Sequence, residues 1–305
     1  MTPPPFPLPP PAHDAPLPPA HPGAGGTRVL SGVPYAAIPG VRPLELDLVL
    51  PDGDGPFPVV VFLHGGGWRV GSRHTAGPMY RGASPTPFEV VAQAGIAVAS
   101  VDYRLSGEAV WPAQLHDAKA AVRWLRARAA ELGIDPDRIA AWGESAGGHL
   151  AELLGLTADD AALEGDVGLT GPPSAVSAVA AWYAPSDVAA VAVDLGLDPT
   201  DPTTREALLL GAPAISVPET AADASPVTHV RADAPPFLLL HGEADRLIPF
   251  VQSVRLHTAL TEAGAEAEVL LYEDADHMWL GAPDAAQNAL DRTVVFLRRQ
   301  LIERT

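Results

Sequence analysis

The sequence predicts an α/β protein: a mostly parallel, twisted sheet of about eight strands with helices on both faces. Three observations carry this. From residue 27 onward, short apolar runs alternate with longer segments of helical spacing. The 305 residues are 47% apolar, enough for one large core. His64, Asp102, Ser145, Asp245 and His277 each follow an apolar run, which gathers them along one rim of such a sheet.

The elements follow in order. Residues 1–26, MTPPPFPLPPPAHDAPLPPAHPGAGG, are mostly Pro, Ala and Gly, a composition expected to stay extended and disordered. Residues 27–305 are read as one domain. LELDLVL (44–50) alternates apolar and acidic residues, as a half-exposed strand does. PVVVFLH (58–64) and IAVASVDY (96–103) are continuous apolar runs, as in strands buried on both faces. Residues 113–132 have helical spacing, with Leu115, Ala118, Val122, Leu125 and Ala129 on one face and Gly133 as the stop. RIAAWGE (138–144) reads as a strand, and the segment after it as a helix. Strands are expected at 175–185, 236–245 and 267–277, and helices at 249–264 and 285–303. The Pro- and Gly-rich stretches 65–90 and 186–225 are expected as loops that wall a pocket on the rim.

Composition excludes several functions. The formal charge of −18 argues against nucleic acid, whose binding needs a basic face. There is no cysteine, so disulfides, thiolate catalysis and cysteine-held zinc are out. Lys119, the sole lysine, lies inside a helical segment. No His, Asp or Glu cluster has metal-ligand spacing, so neither metal nor cofactor is expected. The start lacks the basic, then apolar pattern of a signal peptide, and no run approaches the ~18 apolar residues of a membrane helix. The expectation is a cytoplasmic protein without a membrane span.

The chemistry centres on Gly143-Glu144-Ser145-Ala146-Gly147, between a strand and a helix. A tight turn there needs small neighbours and presents Ser145 as a nucleophile. A serine hydroxyl needs a base. In such sheets the partners come later in the chain, acid before histidine. Asp245 and His277 fit that order, each at a strand end. His277 would accept the Ser145 proton, and Asp245 would hold the imidazole tautomer. Glu243 and Asp187 are rival acids, while Asp274 and Asp276 read as solvated loop charges. His64-Gly65-Gly66-Gly67-Trp68 follows a buried strand. Gly65 and Gly66 are expected to donate N–H groups to an oxyanion, with Ala146 as third donor. His64 is expected to anchor that loop, and His149 to pack in the core.

These blocks now carry a resemblance. HGGGW, VDYRLSGEAVWPAQLHDAKAAVRWLR, GIDPDRIAAWGESAGGHLA, FLLLHGEADRLIP and DADH occur in this order. Together they resemble the α/β-hydrolase superfamily, within it the hormone-sensitive-lipase-like carboxylesterases, and more closely a bacterial feruloyl-esterase-like branch. The resemblance runs from about residue 28 to the final helix. It implies an α/β-hydrolase fold and an esterase with Ser145, Asp245 and His277 as catalytic triad beside an HGGG oxyanion hole. Two departures stand out. This chain has YRLSGE where the lipase-like enzymes usually read YRLAPE, and residues 1–26 cannot form their N-terminal helical cap. Asp102 and Arg104 are expected to tie loops together.

The expected function is a serine carboxylesterase acting on a small-molecule ester, short-chain or of aryl or feruloyl type, through an acyl-enzyme. The same residues could serve an amidase or peptidase, or persist in a binding protein that has lost catalysis. Trp68, Tyr80 and Trp279, with Trp182 and Tyr183, could form an aromatic substrate pocket or belong to the core. The last helix or an edge strand offers a surface for a homodimer.

Overall fold

The computed structural model describes residues 11–40 and 42–304. Nine strands form one sheet: β1 (His21–Pro22), β2 (Arg28–Ala37), β3 (Pro43–Leu50), β4 (Phe57–Leu63), β5 (Ala97–Val101), β6 (Ile134–Glu144), β7 (Val179–Trp182), β8 (Phe237–Gly242) and β9 (Ala267–Tyr272). Their order across the sheet is β1-β2-β3-β5-β4-β6-β7-β8-β9. The pairs from β1 through β3 to β5 are antiparallel, and all pairs from β5 to β9 are parallel. The helices are α1 (Pro87–Gln93), α2 (Ala113–Ala127), α3 (Ala129–Leu132), α4 (Ala146–Leu156), α5 (Val191–Asp194), α6 (Arg205–Leu210), α7 (Pro218–Asp223), α8 (Val251–Ala263) and α9 (Pro283–Arg298). This is an α/β-hydrolase sheet with helices on both sides.

The two-residue period of the strands divides the core between the faces. Val59, Val61 and Leu63 pack with Leu115 and Val122 of α2, Leu150 and Leu153 of α4 and Leu256 of α8. Val60 and Phe62 face the other way, with Phe88 and Val91 of α1, Trp142, Trp182, and Leu290 and Phe296 of α9. The continuous apolar runs of β4 and β5 are therefore explained: both their faces are covered.

One strand is added to those expected, and two expectations change. β2 has no apolar run, since Gly32 and Pro34 interrupt it. It joins the antiparallel end of the sheet, with register shifts on either side of Val33 and Pro34. The stretch 65–90 contains the start of α1, held by a capping box between Thr86 and Glu89. The stretch 186–225 contains α5, α6 and α7.

The expected disorder of 1–26 does not hold for residues 11–26. Trp124 Nε1 donates to the His13 carbonyl at 3.0 Å, and Arg128 Nη1 to that of Ala15 at 2.8 Å. Leu17 packs on the core, and His21 pairs with Val29. Polar donors of α2 and its C-terminus recruit backbone that composition alone leaves extended. Residues 1–10 of that expectation lie outside the described residues.

Candidate active site

Ser145 sits between β6 and α4, with β6 flanked by β4 and β7 in the middle of the parallel sheet. Its φ of 51° and ψ of −120° are unusual for a non-glycine residue, a conformation that costs about 1–3 kcal/mol and needs support. Support comes from the Ser145 N–H, which donates to the Trp182 carbonyl at 2.8 Å. It also comes from the small residues: a Cβ on Gly147 would overlap the Leu63 carbonyl at the end of β4. Glycine there lets α4 begin hard against the strand.

His277 Nε2 lies 2.9 Å from Ser145 Oγ, and His277 Nδ1 lies 2.6 Å from Asp245 Oδ2. All three side chains are buried. An Nδ1–H that donates to the carboxylate leaves Nε2 as acceptor of the serine proton. Asp245 Oδ1 accepts the backbone N–H groups of Leu247 (2.8 Å) and Ile248 (2.9 Å). Oδ2 also lies 3.2 Å from His241 Nε2. Burial raises the Asp245 pKa, but hydrogen bonds from His241 and His277 outweigh it and hold the carboxyl well below the usual carboxylate range. Asp245 is therefore an anion at neutral pH.

The rival acids fall away. Glu243 is exposed, and Asp187 faces Arg255 at 3.9 Å. Asp276 is not the solvated charge expected: it accepts the His277 N–H at 2.8 Å and pairs with Arg246, so it caps the turn that carries His277. His241, which the sequence reading did not single out, buttresses Asp245 from behind, with Nδ1 facing Ser253 Oγ at 2.7 Å. Its position at the end of β8, four residues before Asp245, was the available signal.

The glycine loop 65–67 lies against this group. His64 does anchor it: the ring meets the Gly65 carbonyl at 2.7 Å, and the His64 carbonyl accepts the Tyr103 hydroxyl at 2.8 Å. Gly65 departs from expectation as an oxyanion donor. Its N–H points at Glu144 Oε1, at 3.3 Å. The N–H groups of Gly66 and Gly67 meet no acceptor among the described residues. Gly66 has φ of 121°, and a Cβ there would overlap the Val70 carbonyl, so only glycine lets the loop fold back so sharply. Ala146 opens α4, where the first N–H groups have no intrahelical partner.

Glu144 escaped the sequence reading. Buried beside Ser145, it accepts the Tyr183 hydroxyl at 2.6 Å as well as the Gly65 N–H. Burial pushes its carboxyl up to about 7, against the pull of these two hydrogen bonds. Its place inside the serine turn was the only sequence signal.

A cavity of about 540 Å³ opens over Ser145. Its walls include Gly65 to Gly67, Val70, Pro78, Tyr183, Leu247 and Met278, with Arg81 and Arg205. Of the two places open to the aromatic residues, pocket or core, Trp68, Tyr80 and Trp279 do not line the cavity. Trp68 is buried and donates from Nε1 to His149 Nδ1 at 3.3 Å, pinning the glycine loop to α4. His149, whose pKa burial lowers to about 4, is neutral and meets the Ala224 carbonyl through Nε2 at 2.6 Å. Tyr80 donates to the Ala286 carbonyl at 2.5 Å. Trp279 is enclosed by Trp182, Tyr183 and Tyr272. Of the five aromatic residues only Tyr183 reaches the cavity. Asp102 and Arg104 tie loops, as expected, through Arg73 and Asp117. No group of described residues has the makings of a metal site, and no helix among them is long and apolar enough to cross a membrane.

The chain is similar to known esterases in sequence and fold. The chain is 33% identical over 239 residues to Esterase LipQ of Mycobacterium tuberculosis, covering 77% of this chain and 53% of that protein. It thus spans about half the length of the curated relatives it matches. A truncated form of a carbohydrate esterase from gut microbiota superposes with a TM-score of 0.78 at 30% identity, covering 92% of this chain and 98% of the other. A thermophilic esterase from Thermogutta terrifontis with propionate bound superposes with a TM-score of 0.70 at 29% identity, covering 90% and 94%. The BD-FAE family model matches residues 46–260. That span holds the serine turn, the glycine loop and Asp245, and the chain belongs to the BD-FAE family of α/β-hydrolases.

Proposed function

We propose that the protein is a serine carboxylesterase that hydrolyses esters of small acyl groups through an acyl-enzyme. The observation that carries this is the unbroken relay Ser145 Oγ to His277 Nε2 (2.9 Å) and His277 Nδ1 to Asp245 Oδ2 (2.6 Å), opening on a cavity beside free backbone donors. Ser145 Oγ attacks the ester carbonyl while His277 Nε2 takes its proton. The resulting imidazolium is stabilised by anionic Asp245. The tetrahedral oxyanion receives N–H groups from Ala146, Gly66 and Gly67, with the N-terminus of α4 adding positive potential. Collapse breaks the bond to the alcohol oxygen, which takes the proton from His277. Water then attacks the acyl-serine by the same route in reverse.

The relatives support the ester as substrate class: LipQ is named an esterase, and the Thermogutta protein holds propionate, a short acyl product. The cavity size suits small acyl groups. The test is hydrolysis of para-nitrophenyl acetate, butyrate and octanoate and of a feruloyl ester, by the natural protein and by Ser145→Ala. Turnover that falls to background in Ser145→Ala and declines toward octanoate is the expected result. Equal turnover by both proteins removes the reading.

A further inference from the structure

Two arginines without a carboxylate partner lie on the wall of the cavity over Ser145. The chain has 37 acidic and 19 basic residues. Carboxylates are abundant, and most arginines among the described residues pair with one. Arg28, Arg69, Arg81, Arg126, Arg205 and Arg292 do not, and of these Arg81 and Arg205 lie on the cavity wall. The Arg81 side chain is exposed and meets no acceptor among the described residues. Arg205, first residue of α6, is half-buried, and its stem crosses the face of Gly67. Its one hydrogen bond is from Nη2 to the Leu247 carbonyl, at 3.1 Å. That leaves most of a five-donor fork unused. The one carboxyl among the described residues of the wall is Glu144, which is engaged by the Tyr183 hydroxyl and the Gly65 N–H and forms no ion pair with either arginine.

Val70, Pro78, Leu247 and Met278 add apolar surface to the wall, beside Thr75, Ser145, Tyr183 and His277. Two guanidinium groups without a carboxylate partner, on the wall of the cavity over the nucleophile, are a recognition device for an anion. A guanidinium presents parallel N–H groups that match a carboxylate in both spacing and plane.

Resting on the esterase reading, we propose that the physiological substrate is an ester that also bears a carboxylate, which Arg81 and Arg205 bind while Ser145 attacks the ester carbon. Because the net charge of −18 repels such a substrate at long range, recognition is local.

The test uses two matched ester pairs. In para-acetoxybenzoate and its methyl ester, the charge lies on the alcohol side. In mono-para-nitrophenyl adipate and its methyl ester, it lies on the acyl side. The quantity read is the ratio of kcat/KM for the charged member to that for the neutral one. The natural protein should favour the charged member of one pair, and which pair identifies the side that the arginines read. In Arg81→Gln/Arg205→Gln that ratio should fall about tenfold or more, the scale of a lost charge-assisted hydrogen bond. Arg205→Lys should fall between. Damage to the loop that Arg205 braces would lower both members alike and leave the ratio unmoved.

A natural protein that favours the neutral member of both pairs, or a ratio unchanged in the double variant, overturns the proposal. If no ester is turned over, the esterase reading has failed, and calorimetric binding of para-hydroxybenzoate and adipate decides the rest. Binding to the natural protein that is lost in the double variant supports the arginine site. No binding, or equal binding, overturns it.

Discussion

Asp245 and Glu144 are buried carboxyls near one serine, yet their surroundings drive them in opposite directions. Asp245 receives two backbone N–H groups and faces two histidines, so it stays ionised. Glu144 has a tyrosine hydroxyl and one long backbone contact, and burial wins. Asp245→Asn keeps the shape but presents an amide N–H or a weak acceptor to His277, favouring the wrong tautomer. Its kcat should fall by up to ~10⁴-fold with little change in Tm. A loss under tenfold would assign the orienting role elsewhere. Glu144 gives a pH prediction. Its folded pKa of about 7 exceeds the ordinary 4.5, so between those values the folded state holds more protons than the unfolded. Stability must therefore fall as pH rises through that window, by on the order of 3 kcal/mol from this one group. Glu144→Gln cannot ionise. Thermal unfolding from pH 5 to 8 should show a flatter Tm profile for the variant than for the natural protein, and parallel profiles would contradict the assignment.

Between strand and helix, the serine turn depends on how closely α4 meets β4. Gly147→Ala places a methyl group on the Leu63 carbonyl, and neither the sheet nor the helix start can yield without moving Ser145. The expected cost is about 1–3 kcal/mol or more in stability, together with a drop in kcat larger than the drop in Tm would explain. Unchanged kinetics in a folded Gly147→Ala protein would show that the turn adapts. α1 offers the contrast. Thr86→Ala removes one half of its capping box, at a cost of about 1 kcal/mol, and α1 lies on the face of the sheet opposite α4. Tm should fall while kcat/KM stays within error. A parallel loss of activity would mean that α1 bears on the site.

Across the molecule, the segment 11–26 closes over α2 and extends the sheet. Deleting residues 1–26 leaves the Trp124 indole and the Arg128 guanidinium without these acceptors and removes the β1 pairing. Hydrogen bonds of this kind contribute about 0.5–1.5 kcal/mol each, so Tm should drop by roughly several degrees. An unchanged Tm would return the segment to the status of a free tail. The sequence could not show this docking, because the acceptors are backbone carbonyls, which every residue has. For the same reason β2 went unseen: its pairing is written in main-chain hydrogen bonds, and Gly32 and Pro34 mask its side-chain pattern.

The parallel sheet, the serine turn and the order Ser145, Asp245, His277 were legible in the chain because each is a local pattern. An apolar run, a glycine-flanked serine and a polar residue at a strand end all announce themselves within a few positions. What each side chain faces depended on packing between distant segments. Gly65 reads like Gly66 and Gly67 until Glu144, 79 residues away, engages its N–H. Trp68 and Trp279 could read as pocket or core until α4 and α9 bury them. Arg81 and Arg205 carry no motif at all, and become a pair only where the fold sets both on the wall of one cavity. Burial and partnership arise from long-range contact, and those decided which side chains face the cavity over Ser145.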